Sequence, residues 1–361
     1  MAAPDSLALA LVCGVRKVLL AQPRGFCAGV EMAIKALAWM VRVFEPPIYC
    51  YHEIVHNRLV VEAFEAQGVV FVDDIAAVPP GAPLMLSAHG SAPEVEAAAT
   101  EGGRAVVNAV CPLVTKVHHE MKVRAQKGYT VVYVGHAGHE EAVGTMAVAP
   151  AAVRLVETEA DVDGLAAIDT PVALLAQTTL PHDEWRGVAD RAKRRFPELW
   201  MPGRSDLCYA TTNRQGALKA IAGRCDAVVV IGSANSSNTV SLAHVATAAG
   251  CPRVLRVNAA DELPDDLVGT VGITAGASAP EWLVEEVVAR LAPAEGVDTV
   301  TTVEEDEYFP PPRDLRDLLR ALSIAAPVAF GIAPDGPLAA ADDRAVPAAQ
   351  MLADRHGALA S

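Results

Sequence analysis

The sequence predicts an α/β protein of three similar small lobes, each with a parallel sheet, in a pseudo-threefold arrangement. Short β-branched segments alternate with helical segments, which is typical of parallel strands joined by right-handed crossovers. The clearest strand candidates are Thr130–Val134, Ala227–Ile231 and 271–274. The second observation is a repeated unit of cysteine, helix, strand, polar loop, helix, strand and polar loop, which occurs three times.

Three cysteines mark the start of the repeats. Cys27, Cys111 and Cys208 each precede a predicted helix, and these helices are expected over 30–44, 114–127 and 213–224. Cys111 follows Cys27 by 84 residues and Cys208 follows Cys111 by 97, about the length of one small α/β domain. We therefore expect lobes at 16–110, 111–204 and 205–291, followed over 292–361 by a C-terminal strap and a mobile tail.

The composition restricts the class of protein. Hydrophobic residues make up 52% and charged residues 20% of the 361 residues, which is enough for packed cores in two or three domains. The net charge of −15 argues against nucleic-acid binding. No apolar run reaches the roughly 18–20 residues of a membrane span, and 1–11 lacks the basic residues of a signal peptide. We therefore expect a cytoplasmic protein without a nucleic-acid or membrane partner.

The seven cysteines show neither CxxC spacing nor an even count, so a disulfide framework or a zinc ribbon is not indicated. Thiols that stay reduced in the cytosol are free to bind metal. The cysteines outside the repeats are expected to be small buried hydrophobes. These are Cys13, Cys50, Cys225 and Cys251.

Each repeat carries two polar loops at matching distances from its cysteine. The first loop has its polar side chain at +28 or +29, and the second at +62 to +70. The side chains are His56, His139 and Ser236 in the first loops, and His89, Thr178 and Ser278 in the second. Parallel sheets bind ligands at the carboxyl ends of their strands, where these loops follow. Three matched sets in the same order are hard to attribute to chance.

This pattern predicts a metal centre beside an anion site. Three thiolates can hold a zinc ion with one open position, or a [4Fe–4S] cluster with one iron free to act as a Lewis acid, and ligand count does not decide between them. The loops offer hydrogen-bond donors at helix N-termini, which suits a diphosphate. Of the acids Glu140 and Glu141, one could deliver a proton and the other could complement a helix dipole.

Nine sequence segments resemble, in order and spacing, those of the LytB-type proteins, the hydroxymethylbutenyl diphosphate reductase family. The resemblance runs from about residue 18 to 291. The segments are PRGFCAGV (23–30), EIVHNR (53–58), SAHG (87–90), CPLVTKVH (111–118), GHEE (138–141), QTTL (177–180), CYATTNRQ (208–215), NSSN (235–238) and TAGASAP (274–280).

The resemblance implies three lobes around one [4Fe–4S] cluster per chain, with Cys27, Cys111 and Cys208 as ligands. It also implies that Thr178 contacts the substrate hydroxyl and that Glu141 supplies protons. The residues implied to hold the diphosphate are His56, His89, Ser236, Ser237, Asn238 and Ser278, with His139 beside them.

The implied reaction removes the hydroxyl of 4-hydroxy-3-methylbut-2-enyl diphosphate as water, with two electrons and two protons. It gives isopentenyl and dimethylallyl diphosphate, the last step of the non-mevalonate isoprenoid pathway. The implied electron donor is a ferredoxin- or flavodoxin-like protein.

Some positions depart from the family pattern without removing an expected ligand. Ala234 stands where lysine is usual, and Asn108 and Val110 stand where Asp and Thr are usual. Such changes could alter the tuning of a cluster by its surroundings.

Beyond the matched region, 304–322 combines acids, prolines and an amphipathic pattern, which predicts a strap across a lobe. The apolar positions of that pattern are Leu315, Leu318, Leu319 and Leu322. Ala, Pro, Asp and Gly dominate 325–361, which predicts a mobile or loosely packed tail.

Two other functions are compatible with parts of the pattern. One is a zinc-dependent hydrolase or lyase that acts on a phosphorylated metabolite. The other is a cluster-based redox or iron sensor without turnover, which gives no role to Glu141 or Thr178. The complete set of loops argues against both.

Overall fold

The computed structural model of the protein describes residues 14–330 and 343–356, without the side chains of 324, 326–330 and 353–356. Its described residues divide into two units. The five-stranded unit consists of 14–25 and 213–305, and the two-sheet unit consists of 26–212 with 306–330 and 343–356. The segment 1–11 and Cys13, for which we stated expectations, lie outside the described residues.

The described chain contains twelve strands and twelve α-helices. The strands are β1 Val15–Gln22, β2 Ile48–Tyr51, β3 Val69–Val72, β4 Pro83–Leu86, β5 Ala105–Asn108, β6 Thr130–Val134, β7 Val153–Val156, β8 Val172–Ala176, β9 Ala227–Ile231, β10 Val254–Val257, β11 Gly269–Ala275 and β12 Val297–Thr301. The helices are α1 Ala28–Val43, α2 Arg58–Glu65, α3 Pro93–Thr100, α4 Pro112–Gln126, α5 Glu140–Ala147, α6 Glu159–Gly164, α7 His182–Arg195, α8 Tyr209–Ala222, α9 Ser237–Ala248, α10 Glu281–Leu291, α11 Arg313–Phe330 and α12 Ala348–His356.

Three small sheets, all of parallel strands, confirm the predicted α/β class. The five-stranded unit has the strand order β10-β9-β11-β1-β12. The two-sheet unit has the orders β3-β2-β4-β5 and β7-β6-β8. The central strands β6, β9 and β11 and the edge strand β8 are almost wholly buried, as expected of strands covered by helices on both faces.

The predicted strands at 130–134 and 227–231 have those bounds in the structure, and β11 extends the predicted 271–274 by a few residues. The helices after the three cysteines begin two to four residues earlier than predicted. The reason is that each starts directly after its cysteine, and in α4 a proline occupies the first turn, where it needs no hydrogen-bond partner.

Strand β1, which leads to Cys27, pairs with β11 and β12. Residues 15–22 and 297–301 therefore belong to the same sheet as the strands of 205–291. The predicted lobe ranges 16–110, 111–204 and 205–291 stay a prediction.

The predicted strap forms helix α11, which packs on the core of the two-sheet unit. Leu315 and Leu319 are fully buried there and Leu318 is partly buried. The same core contains α1 and β2 residues such as Leu37 and Ile48. The spacing of the leucines predicted this packing, because residues three and four apart share one face of a helix.

The described part of the predicted tail, 343–356, is well packed, unlike the loose tail that its composition indicated. Ala348, Met351 and Leu352 are buried in the same core. On α1, the Lys35 ammonium donates to the Asp343 carbonyl over 3.2 Å. Glu31 accepts a 2.8 Å hydrogen bond from the backbone N–H of Ala348. These contacts join residues more than 300 positions apart, which composition alone cannot show.

Among the described residues, no helix combines the length and apolar character that crossing a membrane requires.

We predict that Leu319→Ala lowers the free energy of unfolding by about 2–5 kcal/mol, because it leaves a cavity in a closed core. Thermal unfolding followed by circular dichroism measures this as a lower midpoint. The control is Arg320→Ala, which truncates the next, exposed residue of α11 and should leave the midpoint unchanged. Equal midpoints for the two variants would show that α11 does not contribute to the core.

Candidate active site

The three repeat cysteines belong to the two-sheet unit, and each stands at the N-terminus of a helix. Cys27 is the N-cap of α1, Cys111 is the N-cap of α4, and Cys208 directly precedes α8. All three are partly exposed. The positive end of a helix dipole stabilises a thiolate, so these positions favour metal binding.

A glycine in the first turn of α1 leaves room for two of the sulfurs. A Cβ atom at Gly29 would lie 2.8 Å from Cys111 Sγ and 3.9 Å from Cys27 Sγ. Any other residue there would displace Cys111. Gly29 therefore allows both sulfurs to border the same space.

The thiols also affect one another electrostatically. Burial raises the pKa of Cys111, and negative charge on Cys27 and Cys208 raises it further. A bound cation would favour the thiolate form of Cys111, because it offsets this effect. Cys208 Sγ receives a 3.2 Å hydrogen bond from the backbone N–H of Thr211, which supports a thiolate.

Backbone hydrogen bonds connect two cysteines to the predicted polar loops. The N–H of Cys111 donates to the Ala88 carbonyl, next to His89, over 3.0 Å. The N–H of Cys208 donates to the Thr178 carbonyl, also over 3.0 Å. In both cases the cysteine of one repeat is attached to the second loop of the preceding repeat.

The structure brings His56, His89 and His139 into one cluster. The His56 and His89 rings are stacked, with centroids 3.9 Å apart and an interplanar angle of 13°. The His139 ring lies edge-on to both, at 5.5 and 6.3 Å. The sequence offsets from Cys27 and Cys111 therefore identified side chains that are close in space.

His139 is neutral and presents an N–H donor. Burial lowers its pKa to about 3, and the neighbouring His89 and His56 contribute. Its Nδ1 accepts a hydrogen bond from the N–H of Glu141, so the proton is on Nε2. Nε2 is buried and has no hydrogen-bond partner among the described residues.

Glu140, the first residue of α5, extends its carboxylate into this histidine cluster. Oε2 lies 2.9 Å from His89 Nδ1 and 4.0 Å from His56 Nε2, and Oε1 lies 3.9 Å from His52 Nδ1. Burial alone would raise the pKa of Glu140, but contact with His89 and the nearby His56 and His52 hold it at about 2.

His56, His89 and Glu140 have ligand atoms within 4.8 Å of one another, which could suit a metal ion. The lone pairs of an imidazole lie in the plane of its ring, however, and the rings of His56 and His89 are nearly parallel. Their nitrogens therefore do not converge on one ion as the side chains stand.

The predicted proton donor Glu141 is buried against Thr178. Glu141 Oε1 accepts from the Thr178 N–H over 2.7 Å, and Oε2 accepts from the Thr178 hydroxyl over 3.0 Å. Burial raises the pKa of Glu141 to about 7, against the lowering effect of the two Thr178 hydrogen bonds, and Asp206 adds to the increase. A carboxyl group with this pKa can donate a proton near neutral pH.

Sequence reasoning missed the pair that supports this region, Asp206 and Lys116. Asp206 is buried, accepts from the Ala176 N–H over 3.1 Å, and lies 3.2 Å from Lys116 Nζ. Ala176 ends the strand before Thr178. Each residue is close to a repeat cysteine in the sequence, Lys116 to Cys111 and Asp206 to Cys208. This closeness was the one signal that could have identified them.

In the five-stranded unit, three predicted substrate residues surround the start of α9. Ser236 is its N-cap and Ser237 its first residue. Both polar side-chain atoms of the buried Asn238 have no hydrogen-bond partner in the described chain. Ser278 is buried and follows β11. That these residues bind the same ligand as the histidines stays a prediction.

The same unit contains Arg214, a functional candidate that the sequence offsets did not identify. Its side chain is almost wholly buried and donates to the Gly25 carbonyl over 3.0 and 2.8 Å. It also pairs with Glu305 at 3.1 Å. Gly25 has a φ of 70°, which favours glycine, and lies two residues before Cys27.

The four remaining cysteines have no part in this geometry where the structure describes them. Cys50, Cys225 and Cys251 are buried in hydrophobic cores, as expected of small apolar residues.

Solved structures support this geometry as that of a known fold. The structure of the E-1-hydroxy-2-methyl-but-2-enyl-4-diphosphate reductase from Plasmodium falciparum superposes with a TM-score of 0.81 at 31% identity, covering 85% of this chain and 99% of that chain. A second, of an (E)-4-hydroxy-3-methyl-but-2-enyl diphosphate reductase described as the terminal enzyme of the non-mevalonate pathway, has a TM-score of 0.57 at 29% identity, covering 77% and 99%.

Sequence relatives carry the same name. A 4-hydroxy-3-methylbut-2-enyl diphosphate reductase of Mycolicibacterium paratuberculosis is 47% identical over 307 residues, which cover 83% of this chain and 92% of that protein. One of Rhodopirellula baltica is 48% identical over 308 residues, covering 83% and 96%. The model of the family described as LytB protein matches residues 18–292. With its three cysteines and its histidine cluster inside that range, the chain belongs to the LytB protein family.

Proposed function

We propose that the chain reduces 4-hydroxy-3-methylbut-2-enyl diphosphate to isopentenyl and dimethylallyl diphosphate, the terminal step of the non-mevalonate isoprenoid pathway. The relatives that it resembles over most of their length are named as this reductase. The structural observation that carries the proposal is Thr178, which holds the carboxylate of Glu141 and also accepts a hydrogen bond from Cys208. A proton donor and a thiol ligand are thereby fixed to one residue.

An iron–sulfur cluster suits a reductase better than a single zinc ion, because zinc has no redox chemistry and cannot transfer electrons. A [4Fe–4S] cluster held by three thiolates would supply single electrons and one iron open to substrate.

The diphosphate is proposed to bind at the histidine cluster. His139 offers a buried N–H at Nε2, and His89 Nδ1 also lacks a well-directed hydrogen bond among the described residues. A buried donor without a partner costs free energy that a phosphate oxygen can recover. We propose that Ser236, Ser237, Asn238 and Ser278 bind the same diphosphate, and that His56 acts with His89.

Proton delivery is proposed for Glu141. The reaction consumes two electrons and two protons, and the substrate hydroxyl leaves as water. Glu141 is protonated in part of the molecules at neutral pH because its pKa is near 7. The Thr178 hydroxyl, bonded to Glu141, is proposed to contact the substrate hydroxyl and so to direct this proton.

An electron donor is required by a reductase. We propose a small ferredoxin- or flavodoxin-like protein in this role and the cytoplasm as the setting, as the sequence led us to expect.

We predict that Glu141→Gln keeps its iron but loses turnover by about a hundredfold or more, because the amide cannot supply the proton. Anaerobic assays of substrate consumption and iron content measure both. Glu159→Gln is the matched control, since Glu159 also lies in the first turn of a helix but is exposed. Near-normal turnover of Glu141→Gln would remove this residue from proton delivery.

The pH dependence of turnover should follow the same carboxyl group. Because Glu141 must be protonated to act, we expect turnover to fall as pH rises through about 7. Thr178→Val removes the hydroxyl hydrogen bond that helps to lower the pKa of Glu141 and keeps the backbone one, so the fall in turnover should move to higher pH. If turnover falls at the same pH in wild type and variant, the fall must be assigned to another titrating group.

Separate serine substitutions of Cys27, Cys111 and Cys208 should abolish iron binding and turnover, because each removes a ligand. Cys251→Ser should retain both, since Cys251 is buried in a core of the five-stranded unit. Iron and acid-labile sulfide per chain, measured after anaerobic purification, give the readout. A full iron complement in any of the first three variants contradicts the ligand assignment.

A further inference from the structure

The position of Glu140 is unusual for a site that binds an anion. Its carboxylate occupies the face of the histidine cluster on which the proposed diphosphate depends, at 2.9 Å from His89 Nδ1. A carboxylate and a phosphate compete for the same donors, since both are anionic oxygen acceptors. This inference rests on the proposed function, because it concerns the affinity of that site for its substrate.

The other acids in the cluster make different contacts. Glu53 lies 3.1 Å from Nδ1 of His56, and Asp73 lies 3.1 Å from Nδ1 of His52. A carboxylate on one ring nitrogen fixes the orientation of the imidazole. Glu53 contacts His56 on Nδ1, whereas Glu140 Oε2 lies 4.0 Å from Nε2 of the same ring.

The contact between Glu140 and His89 is suited to displacement. Although the two atoms are 2.9 Å apart, both are buried without a hydrogen bond of good geometry. The contact with His89 and the nearby His56 and His52 hold the carboxylate and lower its pKa. Its side chain is 24% exposed, so it has a way out of the cluster towards solvent. A diphosphate, with more charge and more oxygens, can replace it at those donors.

We propose that Glu140 is a built-in counter-anion of the histidine cluster, which occupies the phosphate donors before substrate binds and must be displaced by the diphosphate. Glu140 weakens binding of the diphosphate, and so favours release of the diphosphate products. Glu140 is thus a residue that sets affinity, distinct from Glu141, which is proposed to deliver the proton.

The test is anaerobic titration calorimetry of the cluster-containing protein with inorganic pyrophosphate, for wild type and Glu140→Gln. The amide keeps the shape of the side chain and removes the competing charge. We expect pyrophosphate to bind about tenfold more tightly, the size of effect typical of one charged hydrogen-bonding contact. The KM for substrate should fall by a similar factor, with kcat unchanged or lower. Glu140→Ala, which also removes the charge, should give the same direction.

Glu53→Gln is the matched control, because it makes the same chemical change on the opposite side of His56. It should not tighten pyrophosphate binding, since Glu53 lies on Nδ1 of His56 and not on the His89 nitrogen that Glu140 occupies. Equal or weaker binding by Glu140→Gln overturns the proposal, as does tighter binding by both glutamine variants, which would reflect net charge alone. Absence of binding in all variants also overturns it.

Turnover of the wild type, measured in parallel, separates this proposal from the proposed function. If the wild type turns over substrate but Glu140→Gln does not bind pyrophosphate more tightly, only the proposal that Glu140 is a counter-anion is rejected. If Glu140→Gln binds more tightly but the wild type shows no turnover, the proposed reductase function is rejected and the counter-anion proposal is kept.

Discussion

Three thiol groups from distant points of the chain must meet in one small space, and most of the two-sheet unit serves this requirement. Each cysteine directly precedes a helix, so the start of the helix fixes its backbone. Hydrogen bonds from Cys111 to Ala88 and from Cys208 to Thr178 attach two of them to loops at the ends of strands β4 and β8. Gly29 then leaves the space into which Cys27 and Cys111 extend.

The same attachments place the rest of the chemistry. Thr178 is hydrogen-bonded to the backbone N–H of Cys208 through its carbonyl and to Glu141 through its N–H and hydroxyl, so it links the acid to the backbone of the cysteine. Burial of Glu141 then gives a pKa of about 7, suited to proton transfer. Ala88, bonded to Cys111, is followed by His89 of the histidine cluster. Two of the proposed cluster ligands, the proposed proton donor and the proposed anion site are therefore attached to two short loops.

Much of this could be predicted from the sequence, because strand periodicity and the offsets from each cysteine are local properties. They gave the parallel sheets, the helix after each cysteine and the histidine cluster. They could not give Arg214 on Gly25 or the packing of 343–356 on α1, since both depend on contacts between distant segments. The residue pattern alone also left the roles of Glu140 and Glu141 open, and only the family resemblance pointed to Glu141 as the proton donor. In the structure Glu141 is buried against Thr178, whereas Glu140 faces the histidines. This difference follows from three-dimensional position.

The most direct test of the central claim is one assay on wild-type protein purified without oxygen. Iron and sulfide are counted, and 4-hydroxy-3-methylbut-2-enyl diphosphate is added with a chemical reductant. We expect a brown protein with about four irons per chain that converts the substrate to both five-carbon diphosphates. A colourless protein with one zinc per chain, inactive with the reductant, would contradict the account and favour a zinc-dependent hydrolase or lyase.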